Sequence, residues 1–208
     1  MNLPIPTHQQ AEEYVRQGAN NNPGNWVDHV HYAAQGAEII AKRYPGLDPA
    51  RAYVLGLLHD IGRRYGSTGM RHILDGYHFL ANEGYEGAAR ICLTHPYPVE
   101  GEIVGASKWD GSPQEFTFVR NYLEGIQYDD YDRLIQLCDA LCLPNGFCLL
   151  EKRLLDVAMR YGVNEHTISR WKGFFAVKAR IEQAIGVSVY RLLPGVVETT
   201  FEWDRNRR

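Results

Sequence analysis

The chain has 208 residues, 45% of them hydrophobic, and its 22 basic residues against 25 acidic ones give a formal net charge of −3. Such a length and apolar share can bury a sizeable core and favour a single domain over 1–208, and the slightly acidic balance argues against broad nucleic-acid affinity from charge alone. No stretch approaches the roughly eighteen consecutive apolar residues of a membrane span, and MNLPIPTHQQ has neither a basic head nor an apolar core, so no membrane partner and a cytoplasmic location are expected.

In chain order, Thr7 caps a first predicted helix over about 8–17, and NNNPGN at 20–25 marks the loop after it. WVDHVHYAAQGAEIIAKR follows, carrying His29 and His31, with Ala33, Ala37 and Ile40 at helical spacing and small enough for close packing. Asp48 and Pro49 then read as the N-cap and first position of a helix reaching about Ile61, with Gly62 just past its end. Inside it, the apolar run from Val54 to Leu58 ends in adjacent His59 and Asp60. An imidazole and a carboxylate at the end of a buried run are costly unless compensated, and a divalent transition metal ion compensates both because both ligate it. Successive helical residues diverge by about 100°, so the pair can share an ion only if it lies between their directions. The plainer alternative is that Asp60 merely ends a helix.

Ile73, Tyr77 and Leu80, then Ala88 and Ile91, mark two helices separated by Gly84, with His72 near the start of the first and His95 at the end of the second. PQEFTFVRNYLEGI reads as an amphipathic helix, and Asp129, Asp130 and Asp132 as acidic caps for RLIQLCDALCL. There Ile135, Asp139 and Cys142 share a face, which turns Asp139 into an apolar seam where it needs a partner. Pro144-Asn145-Gly146 makes a turn. The four cysteines, Cys92, Cys138, Cys142 and Cys148, lie in apolar surroundings without CxxC spacing and read as buried thiols. Strand-like alternation is confined to Val187–Leu192 and Val196–Phe201, so the fold reads as all-α.

LLDVAMRYGVNEHTISRWKGFF places Ala158, Gly162, Ile168 and Trp171 at the spacing of a helix-turn-helix over about 154–175, with Thr167, Ser169 and Arg170 where a recognition helix meets bases. Between Glu151 and Arg180, seven basic residues face three acidic ones. The alternative is two helices meeting at Gly162 that bury Leu154, Ala158, Ile168, Trp171 and Phe175 as a C-terminal cover.

A His, a His-Asp doublet and a distant Asp together resemble the signature of the HD superfamily of metal-dependent phosphohydrolases, from about Trp26 to Leu143. The resemblance implies an HD-domain helical bundle over about 26–143, with additional C-terminal helices at about 147–186 packed on it. It assigns His29, His59, Asp60 and Asp139 as metal ligands; His31 competes for the first place, but the spacing to Ala33, Ala37 and Ile40 favours His29. HD-GYP proteins and hydrolases of dinucleoside polyphosphates hold a second metal through two more histidines, and His72 and His95 resemble these in order and approximate spacing. The Gly-Tyr-Pro signature is absent, and Thr94-His95-Pro96 stands where such proteins often carry a His pair, so the alternative is that His72 caps a helix and His95 meets substrate phosphate.

The cofactor implied is one or two divalent ions per chain, among Fe, Mn, Co, Mg, Ni and Zn, with Asp60 bridging them in a dinuclear site. The reaction implied is hydrolysis of a phosphoester or phosphoanhydride of a small molecule, a nucleotide by preference, through a metal-bound hydroxide. Arg63 stands where many HD enzymes have Lys in HDIGK and is expected at the phosphate, as catalytic as well as substrate-binding; Arg64, Arg71 and Lys108 are further substrate-binding candidates. Relatives resembling 5'-deoxynucleotidases or guanosine-tetraphosphate hydrolases carry an acid where Arg63 stands, and its loss tilts the substrate toward phosphoanhydrides with good leaving groups. A homodimer is compatible with these expectations. The rival functions are a DNA-binding regulator and a non-catalytic nucleotide-binding HD module, the second opposed by the presence of all four ligand positions.

Overall fold

The computed structural model describes residues 3–103 and 105–201. Helix α1 (His8–Asn21) opens on a capping box in which the Thr7 side chain accepts from the Gln10 amide and the Gln10 side chain reaches back to the Thr7 amide. It runs past the predicted end and leaves only 22–25 as loop. Helix α2 (Trp26–Ala41) buries His29, Ala33, Ala37 and Ile40, and α3 (Pro49–Leu58) is capped by Asp48, whose side chain accepts from the Ala50 amide. A Cβ on Gly56 would lie 2.8 Å from the Ala34 Cα, so small residues on both faces let the α2 and α3 backbones touch. That contact brings the His29 and His59 rings to a centroid separation of 5.3 Å.

Helix α3 stops at Leu58, short of the expected Ile61. His59 caps it, Asp60 leaves helical geometry at φ −107°, ψ 15°, and Ile61–Tyr65 forms a 3-10 turn. Unwinding at Asp60 removes the angular divergence of a continuous helix and lets the two side chains of the doublet converge. Gly62 is therefore not the residue after a helix. A Cβ there would overlap the His72 carbonyl oxygen and lie 2.5 Å from the Gly76 amide nitrogen, so glycine is what admits α4 (Arg71–Asn82) directly behind the doublet. Asp110 accepts from the Arg71 amide at 2.7 Å and seats the start of α4.

Helices α5 (Glu86–Thr94), α6 (Pro113–Glu124) and α7 (Asp130–Leu141) follow. Asp129 caps α7, while Asp132 is fully buried and binds Arg90 and Thr94 of α5. This ion pair fixes the register between the helices that carry His95 and Asp139. Pro144 and Asn145 close a hairpin of β1 (Cys142–Leu143) and β2 (Gly146–Phe147), antiparallel with Cys142 opposite Phe147. Then come α8 (Leu150–Tyr161), α9 (Thr167–Ile185), α10 (Val189–Leu192) and α11 (Val196–Thr200). The last two correct the strand reading of 187–201. Val189, Leu193 and Val196 are the buried positions there, presented by two short helices broken at 193–195, where Leu193 is extended and Gly195 left-handed.

Leu154, Phe174, Val177, Ile181, Val189 and Val196 join the hydrophobic cluster built by α1, α2, α3 and α7, while Met70, Ile73, Leu74, Leu93, Tyr97, Val119 and Leu123 form a second cluster under α6. All four cysteines are free and buried. Among the described residues no helix is long and apolar enough to cross a membrane.

The helix-turn-helix reading is also corrected. Thr167 and Arg170 are buried and Ser169 bonds Glu102 at 2.7 Å, so the side chains expected at DNA bases are turned inward or engaged. The cover reading needs a shift of face as well. Leu154 is buried as expected, but Ile168 is 56% exposed, and α9 packs through Phe174, Val177, Ile181 and Ile185.

Candidate metal centre

Five helix ends deliver one cluster. His29 sits in the first turn of α2, His59 and Asp60 follow α3, His72 opens α4, His95 caps α5 and Asp139 lies in the last turn of α7. His29 Nε2 is 3.0 Å and His59 Nε2 3.8 Å from Asp139 Oδ1. On the other side, Asp60 Oδ1 lies 3.0 Å from His72 Nε2 and 3.7 Å from His95 Nε2, and its Oδ2 lies 4.0 Å from His59 Nε2. The potential ligand atoms of His29, His59 and Asp139 all fall within 4.8 Å of one another, as do those of His59, Asp60 and His95.

The protons decide what this cluster can hold. His59 Nδ1 donates to the Gly56 carbonyl at 2.7 Å, His95 Nδ1 to Ile91 at 3.2 Å, and His72 Nδ1 to Gly69. A carbonyl only accepts, so in each neutral ring Nε2 carries the lone pair, and all three Nε2 atoms face the carboxylates. Lone pair then meets lone pair with no proton between. His59 Nε2 and Asp60 Oδ1 are buried without a hydrogen-bond partner, His72 Nε2 being near Asp60 Oδ1 but out of alignment. Buried acceptors left unpaired are expensive. Imidazole nitrogens and carboxylate oxygens turned inward are the donor set of a divalent transition metal, so the residues present fit one.

Charge states agree. Burial opposes ionisation of Asp60, but the Arg63 guanidinium beside it outweighs burial and holds the carboxyl well below the usual range. For Asp139 burial is likewise outweighed, chiefly by the hydrogen bond from His29. Burial pushes His29 down, against the pull of Asp139, and burial together with His59 pushes His95 down to about 3. Carboxylates stay ionised and these imidazoles neutral at pH 7, the protonation states metal binding requires.

The cluster lines a cavity of about 950 Å³, enough for a nucleotide-sized ligand. Of the four expected cationic contacts, only Arg63 lines it; its Nε donates to Asp60 Oδ2 at 2.6 Å and its Nη2 approaches His72 Nε2 at 3.5 Å. Arg64 is buried with its guanidinium 4.0 Å over the Phe79 ring, Arg71 faces Asp75 and Glu115, and none of Arg64, Arg71 and Lys108 is on the cavity wall. The wall's other cations are Lys152, Arg153, Arg160 and Arg170, from α8 and α9. Asp156 holds Arg160 at 2.7 Å and Arg153 at 3.3 Å, and the charge of Arg153 adds a lesser push to the depression of His29. Sequence reasoning noticed the basic excess of 151–180 but attached it to DNA; the spacing Lys152, Asp156, Arg160, one helix face, was the available signal.

A family model described as HD domain matches residues 26–143, more than half of the chain. The chain belongs to the HD domain family. Neither a comparison with curated proteins nor one with solved structures gives a match. In this HD domain the matched span carries the His29, His59, Asp60 and Asp139 pattern, whereas α8 and α9, which supply most of the cavity's cations, lie beyond it.

Proposed function

We propose that the protein is a metal-dependent phosphohydrolase that cleaves a phosphoester or phosphoanhydride of a small molecule, nucleotides being the class favoured. The observation that carries this reading is the set of histidine Nε2 lone pairs turned on two carboxylates inside a nucleotide-sized cavity with a cationic wall. His29, His59, Asp60 and Asp139 would hold the metal, with His72 and His95 as ligands of a second one. A bound divalent ion lowers the pKa of water toward neutrality and polarises a phosphoryl oxygen.

The chain's own residues do the rest. Arg63, at Asp60, and Arg153, near His29, supply positive charge on two sides of the cluster where negative charge develops on phosphate oxygens. Asp156 restrains Arg153 and Arg160, which limits the ordering cost of binding an anion. With Arg63 in place of an acid, no carboxylic acid stands at the doublet to protonate a leaving group, and a leaving group that is itself phosphate needs none. Residues 1–208 act as one HD-type unit in this reading, because α8 and α9 complete both the core and the cavity.

The test is release of inorganic phosphate from a panel of nucleoside mono-, di- and triphosphates with Mn²⁺ or Fe²⁺ present. Turnover by the wild type and none by His59→Ala or Asp60→Ala, both still folded by circular dichroism, supports the reading. Turnover that persists in either variant after metal removal overturns it.

A further inference from the structure

Arg170 stands apart from the other cations of the cavity. It lies in the first turns of α9, outside the family match, and the residue is only 6% exposed. Its Nη1 donates to the Gly105 carbonyl at 2.8 Å, and among the described residues that is its one side-chain hydrogen bond. No carboxylate among them pairs with it, whereas Arg63, Arg153 and Arg160 each have one. A buried guanidinium with a single neutral acceptor is a costly arrangement. Burial accordingly pushes its pKa down, with no charged neighbour pulling it back.

An unpartnered hydroxyl lines the same cavity. Among the described residues Thr68 Oγ1 is buried and has no hydrogen-bond partner. The two are linked through Met70, which follows Thr68 closely in the chain and against which Gly105 packs so tightly that a Cβ there would overlap the Met70 Sδ. Thus a hydroxyl and a guanidinium sit where the 66–70 loop meets the 105–107 segment, on the side of the cavity where the Gly69 carbonyl accepts from His72 Nδ1, and neither is itself one of the imidazole or carboxylate groups of the centre. A purely mechanical role for Arg170, pinning the loop to α9, does not explain the charge. Ser169 to Glu102 and the close fit of Gly173 against Val99 and Pro98 already pin the 98–102 stretch leading to Gly105 onto α9.

We propose that Arg170 and Thr68 form an anion subsite of the cavity, distinct from the metal centre, that holds a phosphate group of the substrate other than the one cleaved. The preferred substrate therefore carries at least two phosphate groups. This rests on the phosphohydrolase reading for its substrate but not for its binding chemistry, because the subsite needs no metal.

The probe is inorganic phosphate, titrated calorimetrically into the full-length chain after chelator treatment. Wild-type protein binds it, and Arg170→Met weakens binding by about tenfold or more, the loss expected for a charge-assisted contact; Arg170→Lys, which keeps the charge but not the fork, falls between. Asp139→Asn, which disturbs the metal centre, leaves phosphate binding in place. With metal restored, Arg170→Met lowers the kcat/KM ratio of nucleoside diphosphate over monophosphate by a similar factor. A merely structural Arg170 would lower Tm and slow both substrates alike, leaving that ratio fixed. Absence of phosphate binding by the stripped wild type, or equal affinity in Arg170→Met, overturns the subsite. Arg170-dependent binding in a protein that hydrolyses no phosphate compound would retire the hydrolase reading and leave the subsite standing.

Discussion

Replacing Gly62 with alanine perturbs the candidate centre without touching a ligand. The Gly62 backbone is not left-handed, so the cost is steric alone. The added Cβ would overlap the His72 carbonyl oxygen and lie 2.5 Å from the Gly76 nitrogen, where carbon ordinarily keeps about 3.5–4.0 Å. Both neighbours are backbone, so no flexible side-chain end can yield, and α4 must shift by about 1 Å or more to restore contact. Overpacking of a tight site costs about 1–3 kcal/mol, and a double backbone clash belongs at the upper end. The reduced entropy of the unfolded alanine chain returns roughly 0.4–1 kcal/mol. The net of about 2 kcal/mol lowers Tm by roughly 4–8 °C for a chain of this size. Thermal melts by circular dichroism read the first effect. Metal per chain reads the second, because α4 carries His72, whose Nε2 lies 3.0 Å from Asp60. A Gly62→Ala protein that melts with the wild type and retains full metal would refute the account of how α4 seats behind the doublet.

Further outcomes follow from other contacts. Asp132→Ala leaves Arg90, whose Nε bonds both Asp132 oxygens at 3.1 Å, with the Gln127 carbonyl as its remaining acceptor; breaking this largely buried pair costs about 3 kcal/mol, to be seen as a lower urea midpoint with unchanged slope. Metal-free protein is acid-labile from about pH 6.5 downward. His95 is held at about 3 when folded against 6.5 for an ordinary imidazole, so the unfolded chain binds the extra proton and stability is lost as pH falls from 6.5 toward 3, by up to about 1.4 kcal/mol per pH unit. Depression of His29 acts in the same sense, and a urea midpoint that is flat between pH 7 and 4.5 would contradict this. Arg153→Ala and Arg160→Ala each raise KM for a nucleotide substrate by about threefold to thirtyfold; Tm moves little in Arg160→Ala, whose pair with Asp156 is exposed, and falls further in Arg153→Ala, whose side chain is mostly buried. A KM unchanged in both variants would remove α8 from the binding wall.

The positions of the His and Asp cluster are legible in the sequence because polar groups there interrupt apolar runs. His59 and Asp60 end one, Asp139 interrupts another, and His29 precedes the small-residue stripe that lets α2 touch α3. The end of α3 is not legible, because Asp60 leaves the helix where α4 comes to press on Gly62, a tertiary contact between segments that local propensity does not encode. The cations show the same limit. Proximity in sequence pointed to Arg64 and Arg71, yet Arg64 turns away onto Phe79, and apart from Arg63 the cavity takes its cations from α8 and α9, far along the chain. Thr167 and Arg170 match a recognition-helix pattern because a buried helix face and a DNA-reading face share one spacing; only packing separates them.

The most direct test of the central claim is elemental analysis of metal per chain on protein purified without a metal-affinity tag, before and after incubation with Mn²⁺ or Fe²⁺, for the wild type beside His59→Ala and Asp139→Asn. The account predicts one or two divalent ions per wild-type chain and loss of metal from both variants while circular dichroism shows them folded. A wild-type chain that takes up no metal under either condition, or variants that retain it in full, would contradict it.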